Sequence, residues 1–230
     1  MKGLHSTLSR ALKLSCLSCL LLLGRPSFAD ADSALPPAVI PPQILLNHLL
    51  QERKAAGLTA KTVQVGSVAW SYSEGGSRAN PSILLIHGLA GSRDNWNRVA
   101  HYLTPYYHVI IPDLPSNGDT RVPANFDASV PNVTEQLRQF AEKIDIEDRL
   151  NVAGHSLGGS IATVYAAQYP FDTQSLFLLN SAGIYRQATT AYSKNPYALK
   201  QLIVSKPGDL DEVMHQLMQR PPAMPFKLKQ

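Results

Sequence analysis

The residues best suited to covalent chemistry form one pentapeptide, Gly154-His155-Ser156-Leu157-Gly158. An apolar run at 150–153 precedes it, and a stretch compatible with a helix follows at 160–167. A serine on a tight turn from a strand into a helix has its hydroxyl lifted clear of the sheet, and flanking glycines avoid clashes with neighbouring backbone. The pattern predicts that Ser156 is a nucleophile. Its turn would be supported by Gly154, His155 and Gly158.

Short apolar runs predict the strands that would position this turn. Buried parallel strands are expected at 83–86, 108–113 and 175–180, in addition to the run before the serine. Alternating polar and apolar residues at 61–65 and 67–72 predict a hairpin at the edge of the sheet.

Helices are predicted between these strands from apolar residues three and four positions apart. One begins near Trp96, with Asp94 placed as its cap. Another covers 133–144 and opens with Asn132-x-x-Glu135, a capping-box pattern. The alternation of strands and helices predicts an α/β fold with a mostly parallel, doubly wound sheet.

Two further motifs complete a pattern with the serine turn. His87-Gly88-Leu89-Ala90-Gly91 follows one predicted strand, and the turn at 113–118 follows the next. In this order and spacing the three resemble the oxyanion loop, strand-end turn and nucleophile elbow of the α/β-hydrolases, over roughly residues 60–230. The sequence is most similar to the capped bacterial lipases and esterases of lipolytic family V, in which a segment like Asn180-Ser-Ala-Gly183 leads into a helical cap.

The resemblance implies roles for the backbone around the serine. The amides of Leu89 and Leu157 would form the oxyanion hole, and the loss of one such donor typically costs about 3–4 kcal/mol. His87 and Gly88 would brace the loop. The sequence holds no H-E-x-x-H motif and no Gly-rich phosphate loop, so we expect no metal and no cofactor.

The sequence pattern changes after Gly183, where residues 185–230 are predicted to form part of a cap. A short helix is expected at 210–218, and Pro221-Pro222 fits the Pro-Pro segment of the family's cap. Apolar cap residues that would suit an acyl chain are Leu202, Val204, Met214 and Met218.

A nucleophilic serine needs a base and an orienting acid, which in this family follow it in the order acid, then histidine. The only histidine after Ser156 is His215, one helical turn after Asp211, and this spacing is more typical of a surface contact than of a charge relay. We therefore expect the acid, the base and the last strands to be missing by truncation. An apolar strand edge at 176–179 would then be unpaired, and the chain poorly soluble and nearly inactive.

The predicted function is that of a serine carboxylester hydrolase, a lipase or esterase that forms an acyl-enzyme on Ser156. The same fold also serves C–C bond hydrolysis, cofactor-free haloperoxidation and peptide cleavage, so the fold alone does not choose among them. A truncated, largely inactive remnant or a binding module is the alternative from another class.

Residues 1–29 predict a secretory signal peptide. A basic start precedes an apolar run at 14–23, and small residues at 27 and 29 would suit cleavage. Both cysteines, Cys16 and Cys19, lie inside this segment, so the mature chain would contain none. We expect export to the periplasm, the outer membrane or the medium.

The remaining predictions concern organisation and partners. Residues 30–57 would form a Pro-rich linker and an amphipathic helix, 58–184 the hydrolase core, and 185–230 the partial cap. The net charge of +4 arises from the four basic residues within 1–29, where no acidic residue occurs. A neutral remainder argues against nucleic acid as a partner. The resemblance implies a small ester or a lipid as substrate. We expect a monomer, with transient lipid-surface contact as an option for the N-terminal helix.

Overall fold

The computed structural model describes residues 42–183, Asn195, Lys206 and residues 208–217. The predicted signal peptide, most of the Pro-rich linker and most of the predicted cap lie outside the described residues. This applies also to Leu202, Val204, Met218 and Pro221-Pro222. The described residues fall into two compact units. Residues 49–183 form one, and residues 42–48 belong to the other together with the described residues after 184.

The first unit is built on a six-stranded sheet in the order β1-β2-β4-β3-β5-β6. Strand β3 pairs in parallel with β4 and β5, and β5 pairs in parallel with β6. Strands β1 and β2 form an antiparallel hairpin, and β2 also pairs antiparallel with β4. The predicted hairpin and mostly parallel sheet are therefore confirmed. The strands are β1 (Leu58–Val65), β2 (Val68–Gly75), β3 (Ser82–Ile86), β4 (His108–Pro112), β5 (Leu150–His155) and β6 (Thr173–Leu179).

Helices alternate with the strands, as the sequence predicts. They are α1 (Pro42–Ala55), a short 3-10 turn (Arg93–Trp96) that leads into α2 (Asn97–Leu103), α3 (Val130–Lys143), α4 (Leu157–Gln168) and α5 (Asp209–Leu217). Helix α5 belongs to the second unit and corresponds to the short helix predicted in the cap. No described helix combines the length and apolar character needed to cross a bilayer.

Both faces of the sheet are covered by apolar side chains. Because side chains alternate along a strand, Leu84 and Ile86 join one core, with α3 and α4, whereas Leu85 joins the other, with α2. In the first core the rings of Trp70 and Phe140 lie 4.9 Å apart. The doubly wound arrangement follows from strands that are apolar on both faces.

Two predicted helix caps are wrong. Ser92, not Asp94, caps the 3-10 turn, and its hydroxyl accepts from the Asp94 amide at 3.3 Å. Helix α3 begins at Val130, before the predicted capping box, because Pro131 in its first turn is pre-set for helical backbone. Asn132 therefore lies inside the helix, and its side chain donates to the backbone of Asp127.

The last strand differs from its prediction in burial. Strand β6 pairs only with β5 in the described sheet, and it forms the end of the strand order. Its middle residues, Leu176, Phe177 and Leu178, are exposed. The prediction of a buried strand is wrong for the described residues, whereas the apolar strand edge expected at this position is present.

Candidate active site

Ser156 lies on the turn between β5 and α4, with φ 53° and ψ −119°. A positive φ is uncommon for a residue with a Cβ atom and persists only where the surroundings fix it. The Ser156 amide donates to the carbonyl of Leu179 at 3.0 Å, and the Ser156 carbonyl accepts from the amides of Gly159 and Ala182 at 2.9 and 3.0 Å. The predicted strained strand-to-helix turn is thus formed.

The glycines around Ser156 are required by close backbone approach. A Cβ atom on Gly158 would lie 2.5 Å from the carbonyl oxygen of His87 and would overlap that of Ile86. A Cβ atom on Gly154 would overlap the carbonyl of Gly158. These contacts bring the first turn of α4 directly onto the end of β3.

The predicted oxyanion loop lies against the serine turn. A Cβ atom on Gly88 would be 3.0 Å from the Cβ of Ser156 and 3.2 Å from the Nδ1 of His155. Leu89 follows in the loop with its side chain 60% exposed. Leu157 is the first residue of α4, where backbone amides have no acceptor within the helix. The structure therefore brings both predicted donor segments next to Ser156.

His87 is fully buried and uses both ring nitrogens. Its Nε2 accepts from the amide of Leu114 at 2.9 Å, so its Nδ1 carries the proton and donates to the carbonyl of Gly88 at 2.7 Å. Burial lowers the pKa of His87, which favours the neutral ring that this bonding requires. The geometry fits a residue that braces the loop rather than a base.

Arg93 and Asp113 form a buried ion pair behind the oxyanion loop, which the sequence analysis missed. The Asp113 carboxylate accepts from the Arg93 guanidinium, from the Arg93 amide at 2.6 Å and from the Asp119 amide at 2.9 Å. The turn after β4 is ordered by these bonds. Ser116, within this turn, adopts φ 66°, which is uncommon for a residue with a Cβ atom.

His155, the residue before the nucleophile, makes no hydrogen bond to the Ser156 hydroxyl. His155 is half-buried, and burial lowers its pKa. Within residues 42–183, no hydrogen bond joins a histidine to the hydroxyl of Ser156. His215 lies on α5 in the second unit with an exposed side chain, and Asp211 lies on the same helix.

Comparison with known proteins decides the family. Residues 81–219 match the family model described as alpha/beta hydrolase fold. The chain belongs to the α/β-hydrolase family. The predicted fold and the predicted relation to lipases and esterases are therefore confirmed.

Three relatives illustrate the match. "Lipase 1" of Psychrobacter immobilis is 31% identical over 95% of this chain and 68% of its own length. The crystal structure of the lip1 protein of Acinetobacter baumannii AYE is 54% identical, covers 86% of this chain and 64% of the other, and has a TM-score of 0.74. That of a membrane phospholipase A, a bacterial virulence factor, is 33% identical over 100% of this chain and 68% of the other, again with a TM-score of 0.74. The chain thus spans 64–68% of the length of these relatives.

Proposed function

We propose that the protein is a serine carboxylester hydrolase, a lipase or esterase, with Ser156 as nucleophile. The observation that carries the proposal is the contact between the strained Ser156 turn and the loop at Gly88. It sets the serine hydroxyl beside two backbone segments that can offer amides. We infer that residues 58–184 form the hydrolase core and that 185–230 form part of a cap.

The reaction follows from this arrangement. The Oγ of Ser156 attacks the ester carbonyl carbon while its proton passes to a base. The carbonyl oxygen becomes an oxyanion, which the amides of Leu89 and Leu157 would stabilise as donors fixed beside it before the reaction begins. Collapse of this intermediate expels the alcohol, which takes the proton from the base. Water, activated by the same base, then releases the acid from the acyl-enzyme.

The base has to come from outside residues 42–183. His87 has both nitrogens engaged, and no histidine in that part of the chain bonds to Ser156. In the family the acid and the histidine follow the nucleophile in the chain. Activity is therefore measured on the full-length protein.

An apolar ester is the substrate class that fits best. The exposed side chain of Leu89 offers apolar surface on the loop beside Ser156. The names of the relatives, a lipase and a membrane phospholipase A, point the same way. We further propose that residues 1–29 direct export and that the protein acts as a monomer with transient lipid contact.

Labelling with a fluorophosphonate tests the nucleophile. The wild type should be labelled at Ser156 and should hydrolyse p-nitrophenyl esters, and Ser156→Ala should lose both by several orders of magnitude. Ser175→Ala, on the exposed strand β6, is the control and should keep both. Retained hydrolysis in Ser156→Ala would overturn the proposal, and a folded wild type without labelling would favour a remnant or binding module. Rates on long against short acyl chains distinguish lipase from esterase.

A further inference from the structure

The turn at 180–183, directly after β6, holds the backbone of the proposed nucleophile. The carbonyl of Leu179 accepts from the amide of Ser156, and the amide of Ala182 donates to the carbonyl of Ser156. Both peptide groups of Ser156 are therefore tied to the end of a neighbouring strand. The position of this turn sets the position of the serine.

Ser160 closes the arrangement from the helix side. Its hydroxyl donates to the carbonyl of Ala182 at 2.5 Å, and its amide donates to the carbonyl of Ser156 at 3.3 Å. Ala182 is thus held at both its amide and its carbonyl. A Cβ atom on Gly159 would overlap the hydroxyl of Ser181, so the turn packs directly on the first turn of α4.

The hydrogen bond of Ser160 is unusual for a serine inside a helix. Such hydroxyls commonly bond to the carbonyl four residues earlier in their own helix. Thr163 does this, with its hydroxyl donating to Gly159 at 2.9 Å. Ser160 instead reaches across to another element, which makes its hydroxyl a tertiary contact.

The elbow needs such a contact because its backbone is strained and its partner strand is exposed. A residue held at an unfavourable φ costs about 1–3 kcal/mol and persists only when its surroundings fix it. The side chain of Phe177 in β6 is 57% exposed, so packing of β6 does little to fix the turn that follows. A displacement of about 1 Å at a reacting group can cost on the order of 100-fold in rate.

We propose that Ser160 is a positioning residue for Ser156. Its hydroxyl locks the turn at 180–183 onto α4, and that turn holds the serine in the geometry required for attack. This inference rests on the proposed function. It assigns to Ser160 a role in the rate of reaction at Ser156 and none in substrate binding.

The test compares Ser160→Ala with Thr163→Val in the full-length protein. Both remove a half-buried hydroxyl from α4, but only the first removes a bond to the turn. Ser160→Ala should lower kcat and the rate of fluorophosphonate labelling about 10- to 100-fold, with KM within about twofold. Thr163→Val should leave these rates unchanged, and Ser160→Thr, which keeps the donor, should restore most of the rate. The melting temperatures of Ser160→Ala and Thr163→Val should fall by similar small amounts.

Several outcomes would overturn the inference. Wild-type kcat in Ser160→Ala, an equal rate loss in Thr163→Val, or no recovery in Ser160→Thr would each do so. If Ser160→Ala fails to fold, Ser160→Cys keeps the volume while weakening the donor and gives the same comparison. Absence of labelling at Ser156 in the wild type would overturn the proposed function and the positioning role together, whereas labelling at equal rates in wild type and Ser160→Ala would overturn the positioning role alone.

Discussion

The oxyanion loop and the nucleophile elbow lie against each other, but they are held by different kinds of contact. Behind the loop, the buried side chain of His87 bonds to the backbone of Gly88 and of Leu114. The buried Asp113 carboxylate accepts from the amide and the guanidinium of Arg93. The elbow is held by main-chain bonds to the end of β6 and by one hydroxyl, that of Ser160. Half of the site therefore depends on buried charge, and the other half on an exposed strand.

The difference has an energetic meaning. Removing one partner of a buried ion pair leaves an uncompensated charge and costs about 3–5 kcal/mol. A typical hydrogen bond contributes only about 0.5–1.5 kcal/mol net. Damage to the loop should therefore appear mainly as lost stability, whereas damage to the elbow should appear mainly as lost rate.

The largest expected effect is that of Asp113→Ala. Asp113 is buried and accepts three hydrogen bonds, two of them from Arg93, so the variant should lose about 3–5 kcal/mol in its free energy of unfolding, measured in urea. Asp119→Ala is the matched control, because Asp119 also bonds Arg93 but its side chain is 63% exposed. It should lose about 1 kcal/mol or less. Equal losses in the two variants would contradict the dependence of the loop on buried charge.

The next largest effects are expected from adding one methyl group to the oxyanion loop, in Gly91→Ala, and one to the elbow, in Gly159→Ala. A Cβ atom on Gly91 would lie 2.5 Å from the Oδ1 of Asn95, in the buried loop, and one on Gly159 would overlap the Ser181 hydroxyl. Overpacking costs about 1–3 kcal/mol. The loss of stability in Gly91→Ala should lie at the upper end of this range, because the surroundings of Gly91 are buried. Gly159→Ala should lose less stability and more kcat, because the turn after β6 can move. Unfolding and kcat measured on both variants check this, and the reverse order would contradict it.

The strands and helices could be predicted because the centre of the sheet is apolar on both faces. Runs such as 83–86 leave few alternatives to a buried strand, and the Ser156 motif marks the turn between a strand and a helix. The caps at Asp94 and Asn132 could not be predicted in the same way. Several polar residues near each helix start could serve as caps, and Pro131 and the ion pair between Arg53 and Asp94 decided the outcome.

The contacts that hold the site could not be predicted from the sequence. Arg93 and Asp113 are 20 positions apart, and their pairing depends on how the loop after β3 meets the end of β4. In the sequence Ser160 is a small residue within a predicted helix, and only the structure shows that its hydroxyl donates to the carbonyl of Ala182. The nucleophile is defined by local geometry, whereas its supports depend on tertiary packing, which no local pattern encodes.

Acid should weaken the loop through His87. Burial lowers its pKa, so the folded state binds the proton less readily than the unfolded state, whose histidine pKa is about 6.5. The stability from a neutral His87 is present above that pH and is lost as the pH falls below it, by at most about 1.4 kcal/mol per pH unit. Urea unfolding between pH 7.5 and 5.5 should show this slope, reduced in His87→Gln.

His155 contributes in the same direction, because burial lowers its pKa as well. His155→Gln should therefore reduce the slope too, and the double variant should be flatter than either single one. A slope that is unchanged in all three variants would show that neither ring is kept neutral by the fold.

The smallest effect is expected on β6, the strand that supports the elbow. In the 230-residue chain, Phe177→Ser should change the free energy of unfolding by about 0.5 kcal/mol or less, because the ring is exposed. The same change at the fully buried Phe140 should cost at least about 3–5 kcal/mol, as for other large core truncations. Urea unfolding of both variants checks this. A large cost at Phe177 would mean that other residues cover β6, so that the elbow would rest on buried structure, as the oxyanion loop does.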